Sequence, residues 1–184
     1  MNIKRELVKY GKFLHEKDLV IGSGGNISAR DGDAIIIKKR GADMSRDGAR
    51  GYLRVSLAET ERSSGELSTE TPLHSICYRS RTDIGAVIHV HSPIMIAAAQ
   101  RTDLLKNISY EFDCVIGTPV PVLEYLQPGS SALAEAIGEK ISSGTNAVML
   151  RRHGAVSVGK NLEEAYLRML ALERACMVWI LGDL

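Results

Sequence analysis

The stretch Val87-Ile88-His89-Val90-His91-Ser92-Pro93 decides how this chain is read. A β-branched run carries two histidines at i and i+2, and a proline then turns the chain toward a helix. Successive side chains along a strand point to opposite faces, so residues two apart share one. Both imidazoles therefore leave the same face at the end of a strand, where a divalent metal can join them. A catalytic zinc takes three protein ligands and keeps a fourth position open. The rest of the sequence is read for the missing ligand and for the chemistry such a metal serves.

A chain of 184 residues with 45% hydrophobic content suits one globular domain with a sizeable core. The net charge is +1 and the basic residues are dispersed, which leaves no electrostatic footprint for nucleic acid but keeps small anions open as ligands. Cys77, Cys114 and Cys176 are an odd number at wide spacings, against a disulfide framework and in favour of a reducing compartment. Met1-Asn2-Ile3-Lys4-Arg5-Glu6 lacks the apolar core of a signal peptide, and no apolar run approaches the roughly 18 residues of a membrane span. The expectation is a soluble, cytoplasmic protein that uses neither nucleic acid nor membrane.

Around the histidine stretch the pattern alternates between elements. Ile3, Leu7, Val8, Phe13 and Leu14 among charged residues predict an amphipathic helix over 3–17. Gly22-Ser23-Gly24-Gly25-Asn26 is a glycine-rich turn feeding a strand, Asp31-Gly32-Asp33 a hairpin turn, and Ala34-Ile35-Ile36-Ile37-Lys38 the returning strand. A short strand is expected at 52–55, and an exposed hairpin or loop at 58–66. Ser68 or Thr69 can cap a helix whose first turn holds Pro72, running to about Arg81 with Leu73, Ile76, Cys77 and Ser80 buried. The strand at 86–90 precedes a helix over 93–99. Residues 103–118 resist placement beyond a helical turn and a short strand. An extended segment at 119–122, a helix over 132–141 capped by Ser130-Ser131, paired strands at 147–150 and 155–159, and a last helix from Leu162 to about Leu181 complete one mixed α/β domain.

His153 follows a buried strand on a glycine-flanked turn, where such folds expose functional side chains. With His89 and His91 it makes three histidines from two strand ends, the number a catalytic metal needs. A lone histidine is ordinarily a packing or surface residue, and His15 in the first helix is read so. Glu70 sits at a helix start, where the dipole favours a carboxylate. His74, one turn on, shares its face and is read as a packing or supporting residue, though the pair also imitates a Glu-x-x-x-His metal motif. Ser68 and Thr69 suit capping and a phosphate equally. The glycine-rich turn is either a permissive tight turn or an anion nest. Lys38, Lys39 and Arg40 read as a solvated strand end that adds positive charge for any phosphate.

In this arrangement the chain resembles the class II aldolase/adducin family, within it the L-fuculose-1-phosphate aldolase branch, over nearly its whole length. Ser23-Gly24-Gly25-Asn26-Ile27-Ser28 is similar to the family's (T/S)-x-G-N-I-S phosphate loop, and Ser68-Thr69-Glu70 to its S-S-E segment. His89-Val90-His91 and His153-Gly154 match its H-x-H and H-G ligands, and Tyr125 stands four residues before Gly129 as in its Y-x-x-x-G tyrosine. Lys38-Lys39-Arg40-Gly41 departs from the family's T-P-T-G or S-G pair, and Glu124-Tyr125-Leu126 from its P-Y-A. Longer relatives carry a tail that closes the site, for which the few residues after the last helix offer no counterpart.

The resemblance implies an α/β fold in which a central, mostly antiparallel sheet is flanked by helices on both sides. It implies reversible cleavage of a ketose 1-phosphate to dihydroxyacetone phosphate and an aldehyde through a metal-stabilised enediolate. It implies one Zn2+ per subunit held by His89, His91 and His153, with Glu70 a further ligand until substrate displaces it; manganese, cobalt and iron also suit imidazole. It implies that Glu70 is the acid and base and Tyr125 the proton donor to the aldehyde oxygen, and that Ser23, Gly24, Gly25, Asn26, Arg40, Gly41, Ser68 and Thr69 hold the phosphate. A homotetramer with sites between subunits is implied as well. Related reactions on the same scaffold are a sugar-phosphate epimerase, dehydratase or decarboxylase. The epimerase branch tends to have Asp at the Glu70 position, and the non-catalytic adducin head lacks the three histidines.

Overall fold

The computed structural model describes residues 2–60 and 65–182, so part of the loop expected at 58–66 lies outside the described residues. Eight strands form one sheet: β1 (Asn26–Asp31), β2 (Ala34–Lys38), β3 (Tyr52–Ser56), β4 (Ala86–Val90), β5 (Leu104–Leu105), β6 (Val120–Leu123), β7 (Ala147–Leu150) and β8 (Gly154–Gly159). Their order is β3-β2-β1-β4-β8-β7-β6-β5, antiparallel throughout except for β6 beside β7. Six helices cover it: α1 (Ile3–Glu16), α2 (Thr71–Ser80), α3 (Pro93–Ala99), α4 (Tyr110–Val115), α5 (Ser131–Ser142) and α6 (Leu162–Leu181).

Strand alternation sorts the side chains into two cores. Ile27, Ala29, Ile36, Ala86, Ile88, Met149 and Ala155 face one way, into a core completed by α1, α3, α4 and α6. Ile35, Ile37, Val87, Val148, Val156 and Val158 face the other, against Leu73 and Cys77 of α2 and Leu133, Ile137 and Ile141 of α5. The expected sheet with helices on both faces is the one observed. Because both faces are covered, the central strands are apolar on each side, as in β4, where all five residues are buried.

The helix at 71 begins differently from expectation. Glu70 is its N-cap residue and provides no side-chain cap, while Ser68 Oγ accepts from the Glu70 amide at 3.2 Å and Thr71 Oγ1 donates to Ser68 O at 2.7 Å. Neither Ser68 nor Thr69 caps the helix, because a separate turn, anchored by the Lys39–Leu67 bridge, precedes it. The buried face also differs: His74 and Tyr78 lie fully inside, while Ile76 and Ser80 are only partly covered. The polar pair is tolerated there because a sheet hydroxyl, described below, receives both. Within 103–118 the structure places β5 and α4, the latter capped by Ser109.

Candidate metal centre and active site

His89 is the fourth residue of β4 and His91 leaves its end; His153 leaves the turn after β7. β4 and β8 are paired, with His89 opposite Val156, and this pairing brings the end of β4 beside the start of β8. The three ring centroids lie 4.7, 4.8 and 5.1 Å apart, and one ligand atom from each falls within 4.8 Å of the others. The Ala155 carbonyl can only accept, so at 3.0 Å it fixes the His89 proton on Nδ1 and leaves Nε2 bare. That nitrogen is 2.9 Å from His91 Nε2. His153 Nδ1 is buried without a partner. Desolvation, first of all, holds all three imidazoles below their usual range, His153 at about 4, so they are neutral near pH 7 with lone pairs available. Neutral, converging imidazoles fit a transition metal well.

Glycines make this convergence sterically feasible. Gly154 has φ +147°, and a Cβ there would lie 2.0 Å from Val90 O and 3.1 Å from His91 Cα. Gly25, at φ +66°, would meet Val20 Cγ1 at 2.5 Å and His89 O at 2.9 Å. The glycine-rich turn thus packs directly on the histidine strand, and Gly24 passes close to His91. Gly154→Ala should cost about 3 kcal/mol of stability and lower metal stoichiometry, measured by thermal unfolding and elemental analysis.

α2 runs along β1 with a defined direction. Tyr78, near its C-terminal end, packs under Arg30, whose guanidinium donates to Tyr78 O at 2.8 Å. His74, nearer the N-terminus, bonds Ser28. Glu70 therefore starts the helix toward Asn26, the register partner of His89. Glu70 is buried with Oε2 unpartnered, and desolvation raises its carboxyl to about 7. Asn26 uses its Oδ1 on the Ile27 amide at 2.8 Å and keeps a buried Nδ2 without a partner.

The remaining candidates are less uniformly gathered. Ser23, Gly24 and Gly25 form the turn beside His89 and His91. Thr69 is exposed and packs against Gly129, whose Cβ would lie 3.0 Å from Thr69 O. Arg40 and Gly41 line a hollow of about 270 Å³ with Lys39, Asp47 and Arg50, bordered by neither Glu70 nor the histidines. Tyr125 is 41% exposed; its hydroxyl donates to Gln127 Oε1 at 3.4 Å, and the Arg152 guanidinium lies 4.4 Å from its ring centre. Its hydroxyl makes no contact with the histidines of its own chain.

Two features escaped the sequence. Lys38 is not a solvated strand end: it is buried and donates to Ser23 O at 2.8 Å and Ala42 O at 2.9 Å, tying the glycine turn to the following loop. Burial lowers its pKa, which the Asp43 and Asp47 charges partly offset. Ser28, His74 and Tyr78 form a buried chain, with Ser28 Oγ 2.7 Å from His74 Nδ1 and 2.8 Å from Tyr78 Oη. The spacing of His74 from Tyr78, four residues on one helix face, is the signal that was present.

Residues 5–180 match the Class II Aldolase and Adducin N-terminal domain family. The L-fuculose phosphate aldolase of Methanococcus maripaludis is 30% identical over 185 residues, covering 97% of each chain. A 3-oxo-tetronate 4-phosphate decarboxylase of Pectobacterium atrosepticum is 30% identical over 187 residues, covering 98% of this chain and 85% of its own. The crystal structure of L-fuculose-1-phosphate aldolase from Thermus thermophilus superposes with a TM-score of 0.90 at 24% identity, over 100% of this chain and 95% of that one, and shows the same fold. A metal-ready histidine trio, a match across almost the entire domain and relatives that break carbon–carbon bonds lead to one conclusion: the chain belongs to the class II aldolase and adducin family, as one of its lyases.

Proposed function

We propose that the chain is a zinc-dependent aldolase that reversibly cleaves a ketose 1-phosphate, of the L-fuculose 1-phosphate kind, into dihydroxyacetone phosphate and an aldehyde. The observation that carries this reading is the convergence of His89, His91 and His153 at the end of the sheet toward which the buried Glu70 points its helix start. His89, His91 and His153, with Glu70 beside them, would hold the metal, which would supply Lewis-acid polarisation of the substrate ketone.

In the synthetic direction Glu70 takes a proton from the hydroxymethyl carbon of dihydroxyacetone phosphate. Burial alone raises this carboxyl above its ordinary range, which makes its ionised form a stronger base than a solvated glutamate. The carbon then attacks the aldehyde, and Tyr125 protonates the new alkoxide; cleavage retraces these steps. The Gly25 amide, with Ser23, Asn26, Ser68 and Thr69, holds the phosphate; Gly24, whose own amide donates to Ile21 O at 2.9 Å, shapes the turn, and Arg40 and Gly41, on a hollow of their own, contribute through charge and loop position. Asn26 Nδ2 is a buried donor awaiting an acceptor, which suits this role. Tyr125, exposed and with its hydroxyl on Gln127 and not on its own histidines, serves the site of a neighbouring subunit in a homotetramer.

Elemental analysis of the purified protein, with a panel of ketose 1-phosphates assayed for dihydroxyacetone phosphate release, tests the reading. Full activity without metal overturns it. The decarboxylase relative favours a second reading, loss of carbon dioxide from a 3-oxo sugar-acid phosphate, for which the same assay follows carbon dioxide. Tyr125→Phe should lower aldol turnover about 10²-fold while sparing proton exchange on dihydroxyacetone phosphate. Mixed oligomers of Tyr125→Phe and Glu70→Gln chains should regain activity, because one site in the mixture then has both groups intact. No recovery places Tyr125 outside the neighbour's site.

A further inference from the structure

We propose that His74 is a positioning residue for Glu70, its Nε2–H hydrogen-bonding the Glu70 carboxylate and holding it for proton transfer. The inference rests on the reading of Glu70 as acid and base. Tyr78 is buried, and burial pushes its phenol so far up that it keeps its proton. Ser28 Oγ, at 2.8 Å, is placed to accept that proton. A serine hydroxyl that accepts there directs its own hydrogen to its other partner, His74 Nδ1, at 2.7 Å. The ring is wholly buried, which favours its neutral form. With Nδ1 accepting, the single ring proton is on Nε2.

That Nε2 is fully buried and has no partner. The other buried side-chain atoms without one, among the described residues, are Asn26 Nδ2, His153 Nδ1 and Glu70 Oε2. Asn26 offers a donor, which cannot receive another donor, and His153 belongs to the metal trio. Glu70 Oε2 is the acceptor that remains, four residues earlier on the same helix. Residues so spaced have Cβ atoms about 5–6 Å apart, within reach of a glutamate that rotates about its own torsions. Tyr78, Ser28 and His74 thus leave one buried N–H for the reacting carboxylate, which takes it up by turning about its own torsions.

Nitrogen-15 NMR of the zinc-loaded, full-length protein reads this directly. The expected result is an Nε2–H tautomer for His74, mixed in Ser28→Ala, with an Nε2–H resonance that moves in Glu70→Ala. In exchange assays His74→Leu should lower kcat about tenfold to a hundredfold with KM unchanged, and His74→Gln, which keeps an N–H at that distance, should recover most of it. An Nδ1–H tautomer, or a resonance indifferent to Glu70→Ala, overturns the proposal even if His74→Leu fails to fold. Undiminished exchange in Glu70→Gln overturns instead the acid–base reading, a separate result.

Discussion

His153→Ala is expected to purify with metal near background and to release dihydroxyacetone phosphate at least about 10³-fold more slowly than the parent protein. A catalytic metal contributes several kcal/mol of charge stabilisation, and each 1.36 kcal/mol is tenfold in rate. His153, like the exposed His91, is an informative ligand to remove because it is not fully buried. His89 is fully buried and bonded to Ala155 O, so truncating it confounds ligand loss with a cavity. A chelator should reproduce the loss in the parent protein, and added zinc should reverse it there but not in the variant. Metal retention with full activity in His153→Ala breaks the trio apart.

Glu70→Gln should keep its metal and lose proton exchange on dihydroxyacetone phosphate by about 10²–10⁴-fold, the usual contribution of a positioned acid–base group. The same substitution carries a stability signature in metal-free protein. Burial raises the Glu70 carboxyl from its usual 4.5 to about 7, so the fold favours the neutral form. Below about 4.5 folded and unfolded chains are both protonated there and nothing is lost. As pH rises through 4.5 the unfolded chain ionises in water while the fold resists, and stability falls until the folded group ionises near 7. Glutamine removes that penalty, so Glu70→Gln should be more stable than the parent at pH 8 by on the order of 2–3 kcal/mol and equal to it at pH 4. Denaturant melts at both pH values check this; equal stability at pH 8 means the carboxylate is better solvated than its burial suggests.

The alternation of His89-Val90-His91 with a β-branched lead puts two imidazoles on one face in the sequence itself, since period two is a local property. The hairpin at Asp31-Gly32-Asp33, the cap at Ser130 and the helix from Leu162 were legible for the same reason: each depends on a few neighbouring residues. What stayed hidden depends on distant partners. Lys38 looks like any strand-end lysine until Ser23 O and Ala42 O close on its ammonium. His74 and Tyr78 look like surface or packing residues until Ser28, on another element, takes both. Ser68 and Thr69 read as caps because the sequence carries no sign of the Lys39–Leu67 bridge that holds the chain in a prior turn. The segment at 103–118 gave little because β5 is two residues long and α4 six, too short for periodicity to register.

The histidine trio joins β4 to the turn before β8, segments far apart in the chain. His89 is moreover bonded to the β8 backbone itself. An ion held there fastens the middle of the sheet like a clasp, so occupancy and folding share one equilibrium. At a free ion concentration one hundred times the dissociation constant, the gain is about 2.7 kcal/mol. Ion-free protein is therefore expected to open more often at these strands and to yield faster to an added protease than ion-loaded protein.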